Sequence, residues 1–155
     1  MNTQSNFLGR VSQAAATPER VLRIALAALQ QRDFVNVIDQ FSDQFTFIDY
    51  ALTLEFNEKE RLIEFFRKTR ELFPDSVRKD DVMFTSRDRV ISQWKVTATK
   101  TESFIGGNLH IPISVEGVSI VQVENGKISR WLDYYDSTKS RRNSVASWFT
   151  GWIEV

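Results

Sequence analysis

Three stretches of the chain carry apolar residues at helical spacing, and five others are rich in β-branched and aromatic residues with strand-like alternation. The first helix is opened by Thr17 as N-cap and Pro18 at the first helical position, where its missing N–H costs nothing. Val21, Leu22, Ala25, Leu26 and Leu29 form its apolar face, and it runs to about Gln31. The second spans Phe34 to Phe41 and ends in the polar break Ser42-Asp43-Gln44. The third, from Glu58 to Leu72, carries Leu62, Ile63, Phe65 and Phe66. Asn57 stands as its N-cap, Glu60 completes a capping box, and Pro74 closes it. Strands are predicted over Phe45–Tyr50, Asp81–Thr85, Arg89–Thr101, Ile111–Val123 and Lys127–Asp136. Asn125-Gly126 supplies a tight hairpin turn before the last of them, and Gly106 to His110 reads as a loop. Helices first and antiparallel strands after make an α+β domain. Residues 1–16 read as a polar arm, 17–137 as the domain and 138–155 as a tail. That tail has a basic patch (Lys139, Arg141, Arg142), and its Trp148, Phe149, Trp152 and Ile153 would cover an open edge of the domain or a partner subunit, or line a ligand.

Strand parity adds chemistry to this outline. On the last strand Ile128, Arg130, Leu132, Tyr134 and Asp136 share one face, and Ser129, Trp131, Asp133 and Tyr135 the other. A carboxylate between two aromatic rings loses water, so Asp133 is expected to hold its proton more tightly than a free aspartate. On the first strand Phe45, Phe47 and Asp49 share a face. Asp49 and Asp133 meeting in one aromatic pocket would form an acid/base pair, able to move a proton to or from carbon beside a carbonyl. Trp131, Tyr135, Trp94, Phe47 and Phe45 are the expected ligand-binding aromatics. Tyr135 or Trp94 would donate to a developing enolate oxygen. The plain alternatives are a solvated strand face for Asp133 and a turn-bonding strand-end residue for Asp49.

Composition narrows the classes. Twenty basic residues balance 20 acidic ones, which favours neither nucleic acid nor an anionic membrane as partner. There is no cysteine, hence no disulfide and no thiolate chemistry. His110 is the single histidine and is read as a surface residue, so His-based metal sites are excluded, and no G-x-S-x-G elbow is present. No metal or cofactor is expected. The first residues do not read as a secretory signal and no segment is long enough to span a membrane, which makes the cytoplasm the default location. Twelve Phe and four Trp in 155 residues favour a large core or a lined cavity.

The runs Gln93–Thr99, Phe104–Gly107, Gly117–Val123, Glu124–Ile128 and Trp131–Asp136 resemble the SnoaL-like polyketide cyclase group of the nuclear transport factor 2-like superfamily. The resemblance covers about residues 17 to 137. It implies a cone-shaped fold, a curved antiparallel sheet wrapped round helices with one deep pocket, in which acidic side chains work without a cofactor. It also implies a homodimer through the outer sheet face. The last strand is similar to that of limonene epoxide hydrolases, which places the acid at Asp133. In that branch a Tyr and an Asn on the first strand hold water, and the matching positions here are Phe47 and Asp49. The Arg-x-Asp pair of that branch is not found at Gln93–Val96, where the resemblance places it. Cyclases commonly have His at the position of Lys100, and their acid matches Asp133 or Asp136 according to register; parity favours Asp133. Two readings stand: a cofactor-free cyclase or isomerase acting on a small apolar carbonyl compound, and a non-catalytic binding or assembly protein of the same fold.

Overall fold

The computed structural model describes residues 16–136. Helix α1 covers Pro18–Gln30, and the Thr17 side chain accepts from the Arg20 N–H as its cap. Val21, Leu22, Ala25 and Ala28 are its buried face. Helix α2 covers Phe34–Asp39, capped by Asp33. It stops short of Phe41, because Phe41 is taken into the sheet: it pairs with Ile128, whose N–H bonds to the Gln40 carbonyl at 2.7 Å. Ser42 to Gln44 therefore lie inside strand β1 (Phe41–Asp49) and do not form a break. Strand β2 (Leu54–Phe56), too short to give a pattern of its own, folds back on β1. Helix α3 covers Lys59–Leu72. Its N-cap is Glu58, with no side-chain capping bond, so the expected Asn57 capping box is not formed.

Strands β3 (Val77–Ser86), β4 (Arg89–Phe104), β5 (Gly107–Glu124) and β6 (Lys127–Tyr135) complete a six-stranded sheet of order β2-β1-β6-β5-β4-β3. All neighbours are antiparallel except β1 and β6, which run parallel. The loop expected over Gly106 to His110 shrinks to a turn at Ile105 and Gly106: β4 and β5 pair up to Phe104 and Gly107, and His110 sits on β5 opposite Thr101. Asn125 and Gly126 both take positive φ, as a primed hairpin turn requires. Between Val123–Ile128 and Gln122–Arg130 the register slips by one residue, leaving Ser129 as a bulge. The bulge breaks the expected parity, and Ile128 joins Trp131 in the core, both nearly inaccessible.

The curved sheet closes over α1 and α3. Phe47 is the centre of the packing, with ring centroids of Phe56, Phe65, Phe66 and Trp131 at 5.6 to 6.2 Å. The outer face carries a register row of apolar side chains, Phe84, Ile91, Ile120, Leu132 and Ile48. No helix among the described residues is long and apolar enough to cross a membrane.

Candidate active site

One register row of polar side chains crosses the largely apolar inner face of the sheet. Ser92, Ser119, Asp133 and Asp49 are successive register partners across β4, β5, β6 and β1. Their alternation with apolar neighbours puts all four side chains on the concave side, where Ser92, Ser119 and Asp49 are buried. Asp133 and Asp49, the last two of the row, reach the polar end of a cavity of about 230 Å³ between the sheet and helices α1 and α3. Phe47, Phe65, Phe66 and Trp94 supply much of its apolar wall; Asp49, Asp133, Tyr135 and Arg78 supply the polar end.

Asp133 accepts the Trp131 indole N–H at 2.8 Å and the Ser119 hydroxyl, both on Oδ1. Among the described residues its Oδ2 accepts no hydrogen bond. Burial pushes the Asp133 carboxyl up, and the Arg78 cation and the two donors work against that rise. Asp49 accepts the Leu52 N–H on Oδ1 and the Tyr135 hydroxyl on Oδ2, each at 2.9 Å. The turn-bonding alternative and the pocket reading of Asp49 thus describe the same side chain. Burial raises the Asp49 carboxyl to about 6; the Leu52 N–H opposes this, and the Asp133 charge adds to it. Burial, with Asp49 beside it, pushes the Tyr135 hydroxyl up as well.

Trp94 and Tyr135 lie on the cavity wall with ring centroids 5.7 Å apart. Neither polar hydrogen is spare, because the Trp94 indole donates to Ser119 at 2.8 Å and Tyr135 donates to Asp49. Trp131 and Phe45 are not on the cavity wall. Both pack in the core around Phe41, Trp131 stacked on it at 6.0 Å and Phe45 edge-on at 5.1 Å. Trp131 supports the site from behind, through its bond to Asp133, its contact with Phe47 and the Arg78 guanidinium 5.9 Å from its ring centroid. Asp136 follows the end of β6 and is exposed. Lys100 is buried and ion-paired with Glu102, and His110 is exposed, its Nδ1 3.1 Å from the Thr101 hydroxyl.

Arg78 escapes the sequence reading, which begins its strand only at Asp81. It is the second residue of β3, and it forms with Asp80 the Arg-x-Asp pair that was sought at Gln93–Val96. β3 directly precedes the long β4–β5 hairpin. The available signal was the alternation of Arg78 and Asp80 with Lys79 and Asp81. The register shift between Asp80 and Val82 obscures it by ending the period two residues later. The Arg78 guanidinium bonds to Asp80 through Nε and Nη2, reaches the Ser119 hydroxyl at 3.1 Å, and lies 4.8 Å from the Trp94 ring centroid. Asp80 is fixed in turn by the Ser92 hydroxyl at 2.5 Å.

The SnoaL-like polyketide cyclase family matches residues 19–143, and the chain belongs to that family. Solved structures share its fold. A Shewanella denitrificans protein proposed to be a SnoaL-like polyketide cyclase aligns with TM-score 0.70 and 14% identity over 81% of this chain and 94% of that one. AclR of Streptomyces galilaeus, proposed to be a hydroxylase, aligns with TM-score 0.69 and 18% identity over 84% and 96%. A Catenulispora acidiphila protein with a ketosteroid isomerase-like fold, solved with trimethylamine, aligns with TM-score 0.70 and 16% identity over 85% and 98%. No curated protein matches the chain.

Proposed function

We propose that the protein is a cofactor-free acid/base enzyme of cyclase or isomerase type, acting on a small apolar carbonyl compound of polyketide kind. The supporting observation is the Asp49–Asp133 register pair at the polar end of an aromatic cavity, with Asp133 Oδ2 making no hydrogen bond among the described residues. In this reading Asp133 is the ionised member, because it has the Arg78 cation and two donors on Oδ1. Its Oδ2 takes the proton from the carbon beside the carbonyl. In a ring closure the enolate carbon then attacks a second carbonyl of the same molecule, and the new alkoxide takes its proton from Asp49. Transfer of the abstracted proton from Asp133 to Asp49 restores the starting state. Activity requires Asp49 protonated, so the rate falls as pH rises through about 6.

The test is deuterium wash-in beside the carbonyl of 2-tetralone in D₂O, a bicyclic ketone small enough for the cavity. Wild type is expected to exceed Asp133→Asn by about 10²-fold or more, the usual contribution of a positioned base. Equal rates would leave the cavity as a binding pocket. Arg78-Lys79-Asp80 favours a second reading, epoxide hydrolysis, which cyclohexene oxide in ¹⁸O-water tests by labelled diol. Against it, both Asp80 oxygens are engaged by Arg78, one of them also by Ser92, and Asp80 does not line the cavity.

A homodimer through the outer sheet face belongs to the same proposal, supported by the row from Phe84 to Ile48 and by the 66% exposure of Phe84. Sedimentation is expected to give a dimer that Phe84→Lys with Ile91→Lys converts to a monomer.

A further inference from the structure

An enolate needs a hydrogen-bond donor on its oxygen as well as a base on its carbon, and, beside the serine hydroxyls already given to Asp80 and Asp133, four side chains at or behind the polar end of the cavity are able to donate. Three have no hydrogen to spare. The Trp131 indole N–H is on Asp133, the Trp94 indole N–H on Ser119, and the Tyr135 hydroxyl on Asp49. The fourth is Arg78. Its Nε and Nη2 hydrogens go to Asp80 and Ser119, and among the described residues its Nη1 makes no hydrogen bond. The side chain is 16% accessible and lines the cavity. The other cation on the wall, Arg70, spends its Nη groups on Ser76 and on the Gln30 carbonyl, where it ties α1 to the start of β3; its Nε is without a partner among the described residues but is inaccessible.

We propose that Arg78 holds the substrate's oxyanion on its Nη1, so that the cavity selects ligands presenting an enolate or phenolate oxygen beside the base. This deepens the acid/base reading and rests on it for the reaction, though not for the binding. Nothing in the arrangement demands movement. The carboxylate of Asp80 and the two buried serines fix the plane of the guanidinium, and the Trp94 ring supports its face, so Nη1 is presented in one direction. Asp80 is then a positioning residue. It also balances the charge of Arg78, which allows a cation to stay in an apolar cavity before substrate arrives.

The probe is 4-nitrophenolate, whose absorbance differs from that of the neutral phenol. Wild type is expected to bind it about tenfold or more tightly than Arg78→Gln, the size of one charge-assisted hydrogen bond. Asp133→Asn is expected to bind it more tightly than wild type, since it removes a negative charge from beside the phenolate. A merely structural arginine would not move two variants in opposite directions. In the wild type itself, the Arg78 guanidinium resonances are expected to shift on adding nitrophenolate, which keeps the test open should Arg78→Gln fail to fold. No binding by wild type, unchanged resonances, or equal affinity in a folded Arg78→Gln protein overturns the proposal. Failure of tetralone exchange with Arg78-dependent nitrophenolate binding intact would instead remove the catalytic reading alone.

Discussion

Gly117→Ala is expected to unfold about 3 kcal/mol more easily than wild type and to pull Trp94 away from Ser119. A Cβ built at position 117 would lie 2.5 Å from Trp94 Cζ2, 2.7 Å from Trp94 Cη2 and 2.7 Å from the Tyr134 carbonyl oxygen. The strain is one of space, since the Gly117 backbone does not need a positive φ. Gly117 is the register partner of both Trp94 and Tyr135, and the missing side chain lets the indole lie flat across β5. In that pose its N–H reaches the inaccessible Ser119 hydroxyl. Overpacking costs about 1 to 3 kcal/mol and the lost indole bond about 1 kcal/mol more. Elsewhere in a strand Gly→Ala is favourable by roughly 0.5 to 1 kcal/mol, so the sign alone is diagnostic. Guanidinium unfolding gives the energy, and indole N–H resonances give the position of Trp94. A variant as stable as wild type with that resonance unmoved would mean that Gly117 does not shape the site.

The elements that can be read in the sequence are those whose burial is set by their own period. Val21 to Leu29 and Leu62 to Phe66 announce helices because one face of each is buried along its length. Phe45, Phe47 and Asp49 share a face in the sequence and in the structure. Asp49 and Asp133 were both legible for that reason. Failures arise where a long-range bond decides. Phe41 has the spacing of a helix, and Ile128 pulls it into the sheet. Ile128 has outward parity, and the Ser129 bulge turns it inward. Arg78 was missed for a different reason. Its neighbours Lys79, Asp80 and Asp81 look like solvent-exposed charge, and only pairing of β3 with β4 shows that Arg78 and Asp80 turn inward and that Arg78 reaches a cavity. A charged strand beside the polar end of a cavity has no apolar period to betray it. The parallel contact of β1 with β6, which brings the two carboxylates together, likewise joins segments about 80 residues apart and leaves no local trace.

Asp49→Asn is expected to be more stable than wild type by about 3 kcal/mol above pH 6 and equal to it near pH 3. The carboxyl is nearly inaccessible, and its folded value of about 6 lies well above the usual 3.8. The folded protein therefore binds this proton more tightly than the unfolded chain does. Stability from that proton is complete below 3.8 and is lost as pH rises through about 6, a difference of about 3 kcal/mol. Asparagine keeps the oxygen that the Leu52 N–H needs and carries no charge at any pH. It can meet the Tyr135 hydroxyl with its amide, the hydroxyl then accepting. The measurement is unfolding free energy of both proteins from pH 3 to 8, read as their difference, so that carboxyls outside the pair cancel. That cancellation matters because Asp43 and Asp75 are shifted down and contribute the opposite slope. Asp133 does not cancel fully, since the Asp49 charge is what it repels, and removing that charge deepens the effect. A flat difference across this range would mean that Asp49 is solvated and is not the proton-holding member of the pair. A rise between about pH 4 and pH 6 that levels off above it, together with loss of tetralone exchange in the same variant, would place one ionisation under both stability and rate. The carboxyl would then be kept at a cost to the fold because the chemistry needs its proton.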